Sequence, residues 1–331
     1  MKNLAEIYVG TYYSEKSKGI YRFTFDTERG QMTEPELFYR ADNAKWVSVE
    51  GNTMAVPIER AGRAGTCFLE VREGSVCSSE EILEEKQTPC YILQKGSYVY
   101  TANYHEGNVM VYHLEKGKPT LVKRIENGNE AGCHQIMLHD TCLLVPCLAQ
   151  DRIRLFDITH DFIPAGEILF PKGSGPRHGV FNRSHSRLYV VSEWSNELFV
   201  FAVRGKEFRL LQIVSVLPDE IQEDENAAAA AIRLTRDERF LYISVRGADI
   251  ITAFEIKENE AVVLQHVFCG GQHPRDCILS EDERFLLSVN RFAGGIVSME
   301  RDEESGLLGN IKHRVSMPEG VALVYAEEVI I

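Results

Sequence analysis

A repeat of about 46 residues is the feature that most constrains how this chain of 331 residues can fold. Seven apolar runs recur along it, and the ends of neighbouring runs are 44 to 52 residues apart. The ends of the runs are Thr11, Glu59, Asn103, Cys147, Glu193, Val245 and Asn290. Self-similarity at such a period indicates an array of related units, each of which buries its apolar surface against its neighbours.

Each unit carries short segments with the alternating or β-branched character of strands, and polar turns separate them. Examples are residues 19–25, 108–114, 197–203 and 250–256. Four short strands in a unit of this length are typical of a β-propeller blade. We therefore predict an all-β fold: a single domain over residues 1–331, a seven-bladed β-propeller with four antiparallel strands per blade. The N- and C-terminal segments, including residues 321–325 and 329–331, are predicted to close the ring, because closure removes exposed strand edges.

Residues 219–231 are the one stretch without a clear strand pattern. An acidic run is followed by five consecutive alanines at 227–231. A short helix is compatible with this composition. The longer spacing of this unit favours an inserted loop instead.

The formal net charge of −13 and the pI of about 5.3 argue against nonspecific nucleic-acid binding, which needs a cationic surface. No apolar run approaches the length of a membrane span, and the N-terminus enters a strand pattern without an apolar signal region. The eight cysteines contain no CxxC pair and are interpreted as reduced thiols. We therefore expect a cytoplasmic protein with neither a nucleic-acid nor a membrane partner, and the oligomeric state is left open.

The pattern of residues 173–194, two β-rich segments around a polar turn, predicts a β-hairpin with reactive side chains at one end. If the turn is centred on His185, Arg177 and Glu193 both lie eight residues away, one on each strand. Antiparallel strands place these two residues side by side, with His178 next to them. The group is either the beginning of an active site or a structural ion pair at the end of a hairpin.

The same register, applied to every unit, gathers polar side chains at one mouth of the propeller. The first strand of a blade lines the central channel, so its start and the end of the second strand face the same side. The side chains placed there are His134, Arg177, His178, Glu193, Arg246 and Arg275, with Glu59 and Asn103 nearby. Several arginines favour an anionic ligand, and a histidine with a carboxylate suits proton transfer. Packing of the histidines and bracing between blades by the arginines are the structural alternatives.

The cysteines give no support for a metal site. Cys133, His134, Cys142 and Cys147 lie close in sequence, but their spacing matches no familiar zinc pattern. We expect no bound metal.

Several motifs resemble those of the seven-bladed propeller lactonase family, which includes 6-phosphogluconolactonases and is related to carboxymuconate-lactonising enzymes. They are Tyr-Val-Gly-Thr-Tyr at 8–12, Ser-Lys-Gly-Ile-Tyr at 17–21, Thr-Ala-Asn-Tyr at 101–104, Gly-Ser-Gly-Pro-Arg-His at 173–178, Ser-Glu at 192–193, Leu-Tyr-Ile-Ser-Val-Arg-Gly at 241–247 and Pro-Arg at 274–275. They occur in order and span essentially the whole chain.

The resemblance implies hydrolysis of a sugar-acid lactone, 6-phosphogluconolactone or a related aldonolactone, by attack of water without a metal or organic cofactor. The catalytic residues it implies are His134, Arg177, Glu193 and Arg246. The remaining residues at the mouth, predicted to bind a small anionic lactone, are His178, Arg275, Asn103 and Glu59. Either His134 or Glu193 would be the base. A non-catalytic binding module and a cycloisomerase acting on a carboxylated muconate-type acid are the alternatives.

Four positions depart from the family pattern. In blade four, Cys133 replaces the first of two histidines and Cys147 replaces an aspartate. In blade three, Tyr91 stands where a histidine is common, and Val245 replaces an asparagine in blade six. These changes leave the choice of lactone open.

Overall fold

The computed structural model describes residues 3–221, 226–258 and 260–326. Within these ranges the chain forms 29 β-strands and three single-turn 3₁₀ helices, and it contains no α-helix. The first half of the chain contains β1 (Leu4–Thr11), β2 (Gly19–Asp26), β3 (Gln31–Met32), β4 (Glu36–Arg40), β5 (Ser48–Glu50), β6 (Thr53–Arg60), β7 (Arg63–Arg72), β8 (Ser75–Glu85), β9 (Tyr91–Lys95), β10 (Tyr98–Ala102), β11 (Asn108–Glu115), β12 (Lys118–Glu126), β13 (Met137–His139), β14 (Cys142–Cys147), β15 (Arg152–Asp157) and β16 (Ile163–Leu169). The second half contains β17 (Pro176–Phe181), β18 (Arg187–Ser192), β19 (Glu197–Arg204), β20 (Glu207–Ser215), β21 (Ala228–Leu234), β22 (Phe240–Arg246), β23 (Ile250–Lys257), β24 (Glu260–Phe268), β25 (Gln272–Leu279), β26 (Phe285–Ala293), β27 (Ile296–Arg301), β28 (Leu308–Val315) and β29 (Gly320–Tyr325). The 3₁₀ helices are Leu148–Gln150, Ile158–His160 and Asp219–Ile221.

The described strands form seven antiparallel sheets, which confirms the predicted seven-bladed β-propeller. Blades two to seven are four-stranded meanders built in chain order from β5–β8, β9–β12, β13–β16, β17–β20, β21–β24 and β25–β28. Blade one combines β29 with β1 and β2, and both β3 and β4 pair with β2. The C-terminal strand thus becomes the innermost strand of the blade that the N-terminus builds, and the predicted closure is confirmed. Residues 329–331, which we also assigned to closure, lie outside the described residues.

The apolar core lies between the blades, because the second strand of each blade is covered on both faces by its neighbours. Along β22, for example, Leu241 and Ile243 pack with Val191 and Val200 of blade five, whereas Tyr242 packs towards blade seven. The sequence of a strand that is buried on both faces is a continuous run of apolar residues. This burial explains why the repeat is so visible in the sequence.

The alanine run at 227–231 is neither helix nor inserted loop. It enters β21, where Ala228 lies opposite Arg246 and Ala229 opposite Val245. The preceding acidic stretch begins with the 3₁₀ turn Asp219–Ile221, and residues 222–225 lie outside the described ranges. Tertiary packing in the ring overrides the helix propensity of alanine here.

Candidate active site

A cavity of about 250 Å³ opens at the mouth where the innermost strands of the blades begin. Its lining residues are Tyr12, Lys45, Cys90, Tyr104, His105, His134, Glu193, Arg246 and Arg275. Every blade contributes at least one of them, as expected for a cavity on the propeller axis. A concave site of this size with several converging polar groups is suited to a small polar molecule.

Backbone bulges direct the arginines of blades five and seven. The pairing of β17 with β18 shifts register between Pro176 and His178, so Arg177 occupies a bulge. The pairing of β25 with β26 shifts between Pro274 and Asp276, so Arg275 occupies the equivalent bulge. A bulge lets a side chain leave the regular alternation of the strand, which is why bulges are common beside active sites.

Glu193 is the only carboxylate among the residues that line this cavity. Its Oε2 accepts hydrogen bonds from Arg177 Nε at 2.9 Å and from Arg246 Nη2 at 2.8 Å. No donor among the described residues contacts its other oxygen, Oε1. Burial alone would raise the pKa of Glu193, but the charges of Arg246 and Arg177 outweigh it and hold the pKa below its ordinary value. The carboxylate is therefore ionised, with one oxygen open to the cavity.

The two arginines that hold Glu193 are anchored on the alanine run of blade six. Arg177 Nη1 donates to the carbonyl oxygen of Ala230 at 2.5 Å. Arg246 Nε donates to that of Ala228 at 3.0 Å, and its Nη2 reaches Ala229 at 3.3 Å. Small side chains leave these carbonyl groups open to the guanidinium groups. Burial lowers the pKa of Arg177 to about 9, which leaves it cationic at neutral pH.

Arg177 and His178 lie directly behind the lining and not in it. Arg177 is only 3% exposed and contacts the cavity through Glu193. His178 is 2% exposed, and its Nε2 lies 3.1 Å from Nδ1 of His134, which does line the cavity. The structure therefore brings together six of the predicted residues: four line the cavity, and two, Arg177 and His178, support residues of the lining.

Arg275 belongs to a cationic group on the other side of the cavity, formed by blades seven, one and two. Its guanidinium lies 5.4 Å from the ring centroid of Tyr12, and Lys45 Nζ lies 5.9 Å from the same centroid. Burial would raise the pKa of Tyr12, but Arg275 and Lys45 lower it overall. The Nε of Arg275 is buried without a hydrogen-bond partner among the described residues. The positive charges of Arg275 and Lys45 make this side of the cavity suited to an anion.

Asn103 lies at the predicted mouth, but its side chain does not line the cavity. Its Nδ2 donates to Glu85 Oε1 and to the carbonyl oxygen of Gln87, each at 2.7 Å. Its Oδ1 accepts from the backbone N–H groups of His105 and Glu106. Asn103 thus stabilises the turn that carries Tyr104 and His105 into the lining.

Glu59 is also outside the lining and supports it. Its Oε2 accepts a hydrogen bond from Asn43 Nδ2 at 2.9 Å, and the carbonyl oxygen of Asn43 accepts one from the backbone N–H of Lys45 at 2.8 Å. Glu59 therefore orders the loop that presents Lys45.

The predicted site residues do not include five residues that also line the cavity: Tyr12, Lys45, Cys90, Tyr104 and His105. A signal for Tyr12 was available, since it follows Thr11 at the end of β1 as Glu193 follows Ser192 at the end of β18. Both residues come directly after the second strand of their blade.

The departures from the family pattern lie beneath the lining. Cys133 pairs with Cys147, the last residue of β14, through an isolated antiparallel bridge; their Sγ atoms are 4.0 Å apart, and both residues are fully buried. Val245 is fully buried as well, and Tyr91 packs against His178 with ring centroids 5.7 Å apart. In blade four, the two positions where the family resemblance leads one to expect polar side chains hold a pair of buried thiols.

Among the described residues no group of three or more His, Cys, Asp or Glu side chains is arranged to hold a metal ion. The expectation of a metal-free site therefore stays a prediction. Within the same ranges, none of the helices has the length and apolarity to cross a membrane.

Comparisons with known proteins agree with this arrangement over nearly the whole chain. A 6-phosphogluconolactonase from Bacillus subtilis is 30% identical over 345 residues, which cover 97% of this chain and 98% of the relative. A solved structure of a protein from Lactobacillus plantarum superposes with a TM-score of 0.91 at 25% identity, covering 98% of this chain and 100% of that one. The periplasmic gluconolactonase of Pseudomonas aeruginosa shares the fold, with a TM-score of 0.88 at 22% identity over 97% of this chain and 99% of its own. Residues 6–325 match the family described as "Lactonase, 7-bladed beta-propeller". The chain belongs to the seven-bladed β-propeller lactonase family.

Proposed function

We propose that this protein hydrolyses a sugar-acid lactone, with 6-phosphogluconolactone as its preferred substrate and unphosphorylated aldonolactones as poorer ones. One observation carries the proposal: Glu193 is held on Oε2 by two buried arginines, while Oε1 is open to a cavity surrounded by cations. The name of the Bacillus subtilis relative supports the same substrate.

The reaction would take place on the side of the cavity formed by blades four, five and six. Glu193 Oε1 accepts a proton from water as the water oxygen bonds to the lactone carbonyl carbon. Arg246 and His134 line the cavity beside it and donate to the developing oxyanion, and each well-placed donor of this kind typically contributes about 10²–10³ in rate. Collapse of the tetrahedral intermediate breaks the ring C–O bond, and the proton held by Glu193 passes to the departing alkoxide.

The phosphate would bind on the opposite side, where Lys45 and Arg275 flank Tyr12. Counting Lys45, Arg177, Arg246 and Arg275 as cations and Glu193 as the one anion, the site carries a net charge of +3 in a chain whose formal charge is −13. Such a local reversal of sign attracts and orients a small polyanion. A phosphorylated lactone satisfies these charges better than a neutral one.

Acid release from a panel of phosphorylated and unphosphorylated lactones, measured by pH-stat and corrected for spontaneous hydrolysis, tests the proposal. In Lys45→Met, kcat/KM for the phosphorylated lactone should fall about 10- to 100-fold, the value of one charge-assisted hydrogen bond, while that for the unphosphorylated lactone changes little. The control is Lys257→Met, an exposed lysine at the opposite end of blade six.

If kcat/KM fell equally for both lactones in Lys45→Met, the phosphate would not bind on the side of Lys45. A change in diene absorbance with a muconate-type acid, without acid release from any lactone, would favour the cycloisomerase. Absence of both reactions would favour a binding module.

We also place the protein in the cytoplasm. All eight cysteines are free, including Cys133 and Cys147, which face each other in the core. Proteins with several cysteines and no disulfide are typical of a reducing compartment. Thiol labelling after cell fractionation tests the assignment, and recovery of the protein in a periplasmic fraction would contradict it.

A further inference from the structure

The geometry points to His178 as a positioning residue that fixes His134 in the tautomer with its hydrogen on Nε2, so that His134 donates to the substrate and Glu193 alone acts as the base. The role in the reaction rests on the proposed lactone hydrolysis, whereas the tautomers themselves do not depend on it. Of the two groups that could accept the proton from water, His134 and Glu193, only Glu193 is then free to do so.

The contact with Arg177 determines the tautomer of His178. Arg177 Nη1 lies 3.3 Å from His178 Nδ1, and its second hydrogen is directed to the carbonyl oxygen of Ala230. A guanidinium group has donors and no acceptor. Nδ1 of His178 must therefore accept, which leaves the hydrogen of the neutral imidazole on Nε2.

The tautomer of His178 determines that of His134. His178 Nε2 lies 3.1 Å from His134 Nδ1, and a hydrogen bond at this distance needs one donor and one acceptor. Because His178 carries its hydrogen on Nε2, Nδ1 of His134 is the acceptor. The neutral ring of His134 then carries its hydrogen on Nε2, the nitrogen that is not directed at His178.

Protonation of either ring would break this sequence of contacts. An imidazolium has donors on both nitrogens, so a charged His178 would oppose the donors of Arg177, and a charged His134 would oppose those of His178. Burial, and after it the charge of Arg177, holds the pKa of both histidines well below the ordinary value. The positive charges of Arg246 and Arg275 act on both rings in the same direction.

The ring of His178 is held in place by the centre of the propeller. Trp46 and Tyr91 contact it edge-on, with ring centroids 6.0 and 5.7 Å away. The next residue, Gly179, donates its backbone N–H to Gln135 Oε1 at 2.6 Å and accepts from Gln135 Nε2 at 3.1 Å. A ring fixed in this way cannot exchange the positions of its two nitrogens without disturbing three blades.

His134 and Glu193 therefore have different roles in the reaction. A neutral His134 with hydrogen on Nε2 has no lone pair there to accept a proton from water, but it is an uncharged donor for the carbonyl oxygen. Glu193 is the one carboxylate among the residues that line the cavity, and its Oε1 is open. The proton from water therefore goes to Glu193.

Long-range ¹⁵N–¹H correlation spectra of protein labelled at histidine nitrogens test the tautomers without any turnover. Signals are assigned by their loss in His134→Gln and His178→Gln. We expect the Nε2–H pattern for both residues at neutral pH, and an Nδ1–H or imidazolium pattern for His134 would overturn the inference. If the wild type hydrolyses no lactone, the proposed function fails while the spectrum still decides the tautomer.

Kinetics of paired variants test the roles. Glutamine offers one acceptor and one donor, so His178→Gln should keep kcat within about tenfold of wild type, whereas His178→Leu should lose about 10². His134→Gln retains a donor and should exceed His134→Leu by about tenfold or more, which a base could not do. The control is His160→Gln, an exposed histidine at the opposite face. Equal losses in the Gln and Leu variants at either position would overturn the inference.

Discussion

Replacement of Glu193 by glutamine should slow turnover and, at the same time, strengthen binding of the acidic product. The amide has the shape of the carboxylate, and its oxygen still accepts from Arg177 and Arg246, which hold Oε2 at 2.9 and 2.8 Å. Only the negative charge and the ability to take a proton are lost. The two expected effects have opposite signs, and this separates the variant from one that is simply misfolded.

The magnitudes follow from the site. Loss of a general base typically costs about 10²–10⁴ in kcat. Removing one negative charge from a site of net +3 leaves +4. At about 6 Å and an effective dielectric constant of about 20, one unit charge acts on another with about 3 kcal/mol, equivalent to about 100-fold in affinity. With screening by salt, we expect the sugar-acid product to bind about 10- to 100-fold more tightly.

Turnover is measured by pH-stat and product binding by isothermal titration calorimetry with 6-phosphogluconate, at one salt concentration. The control is Glu255→Gln, which lies on β23 and pairs with Lys257 away from the mouth. Breaking a buried ion pair outright costs about 3–5 kcal/mol, and the retained amide oxygen should keep the loss of unfolding free energy below that. Wild-type turnover, or weaker product binding together with slower turnover, would refute the reasoning.

Two further predictions concern pH. The base must be ionised, and the pKa of Glu193 is held below its ordinary value. The value of kcat/KM for an unphosphorylated lactone should therefore stay level from pH 7 down to about 4.5. A decline centred between pH 6 and 7 would contradict this prediction. Burial raises the pKa of Glu85 from 4.5 to about 7, and its hydrogen bond from Asn103 only partly opposes this. The stability that this raised pKa contributes is fully present below pH 4.5 and is lost as pH rises through 7. The free energy of unfolding of Glu85→Gln, measured in urea, should therefore exceed that of the wild type by about 3 kcal/mol at pH 8 and should not exceed it at pH 4.5. If the variant differed from the wild type by the same amount at both pH values, the raised pKa of Glu85 would be refuted.

The fold could be predicted because each blade has one strand buried on both faces. Such strands give continuous apolar runs, and their ends recur with the period of the blade. The alanine run at 227–231 gives no such run of bulky apolar residues, because its side chains are small. Its carbonyl groups accept from Arg177 and Arg246, two residues that come from other strands.

The site could be predicted only in part, because register gives the position of a residue and not the direction of its side chain. Arg177 and Arg275 occupy equivalent bulges, yet one is buried behind Glu193 and the other lines the cavity. Asn103 sits at the predicted mouth, but its side chain bonds to its own turn, as asparagine commonly does. These differences depend on partners from neighbouring blades, which a hairpin taken alone does not contain.

The pairing of β29 with β1 makes the cavity depend on closure of the ring. Tyr12, which follows β1, donates its backbone N–H to the carbonyl oxygen of Glu319, just before β29. The backbone N–H of Leu323 on β29 donates to Asp276 of blade seven at 3.0 Å. If β29 detached from β1, Tyr12 would lose this support and the gap beside blade seven would open. Loss of closure would therefore disturb the proposed place for the phosphate, whereas the residues of the reaction side, on blades four to six, would keep their neighbours.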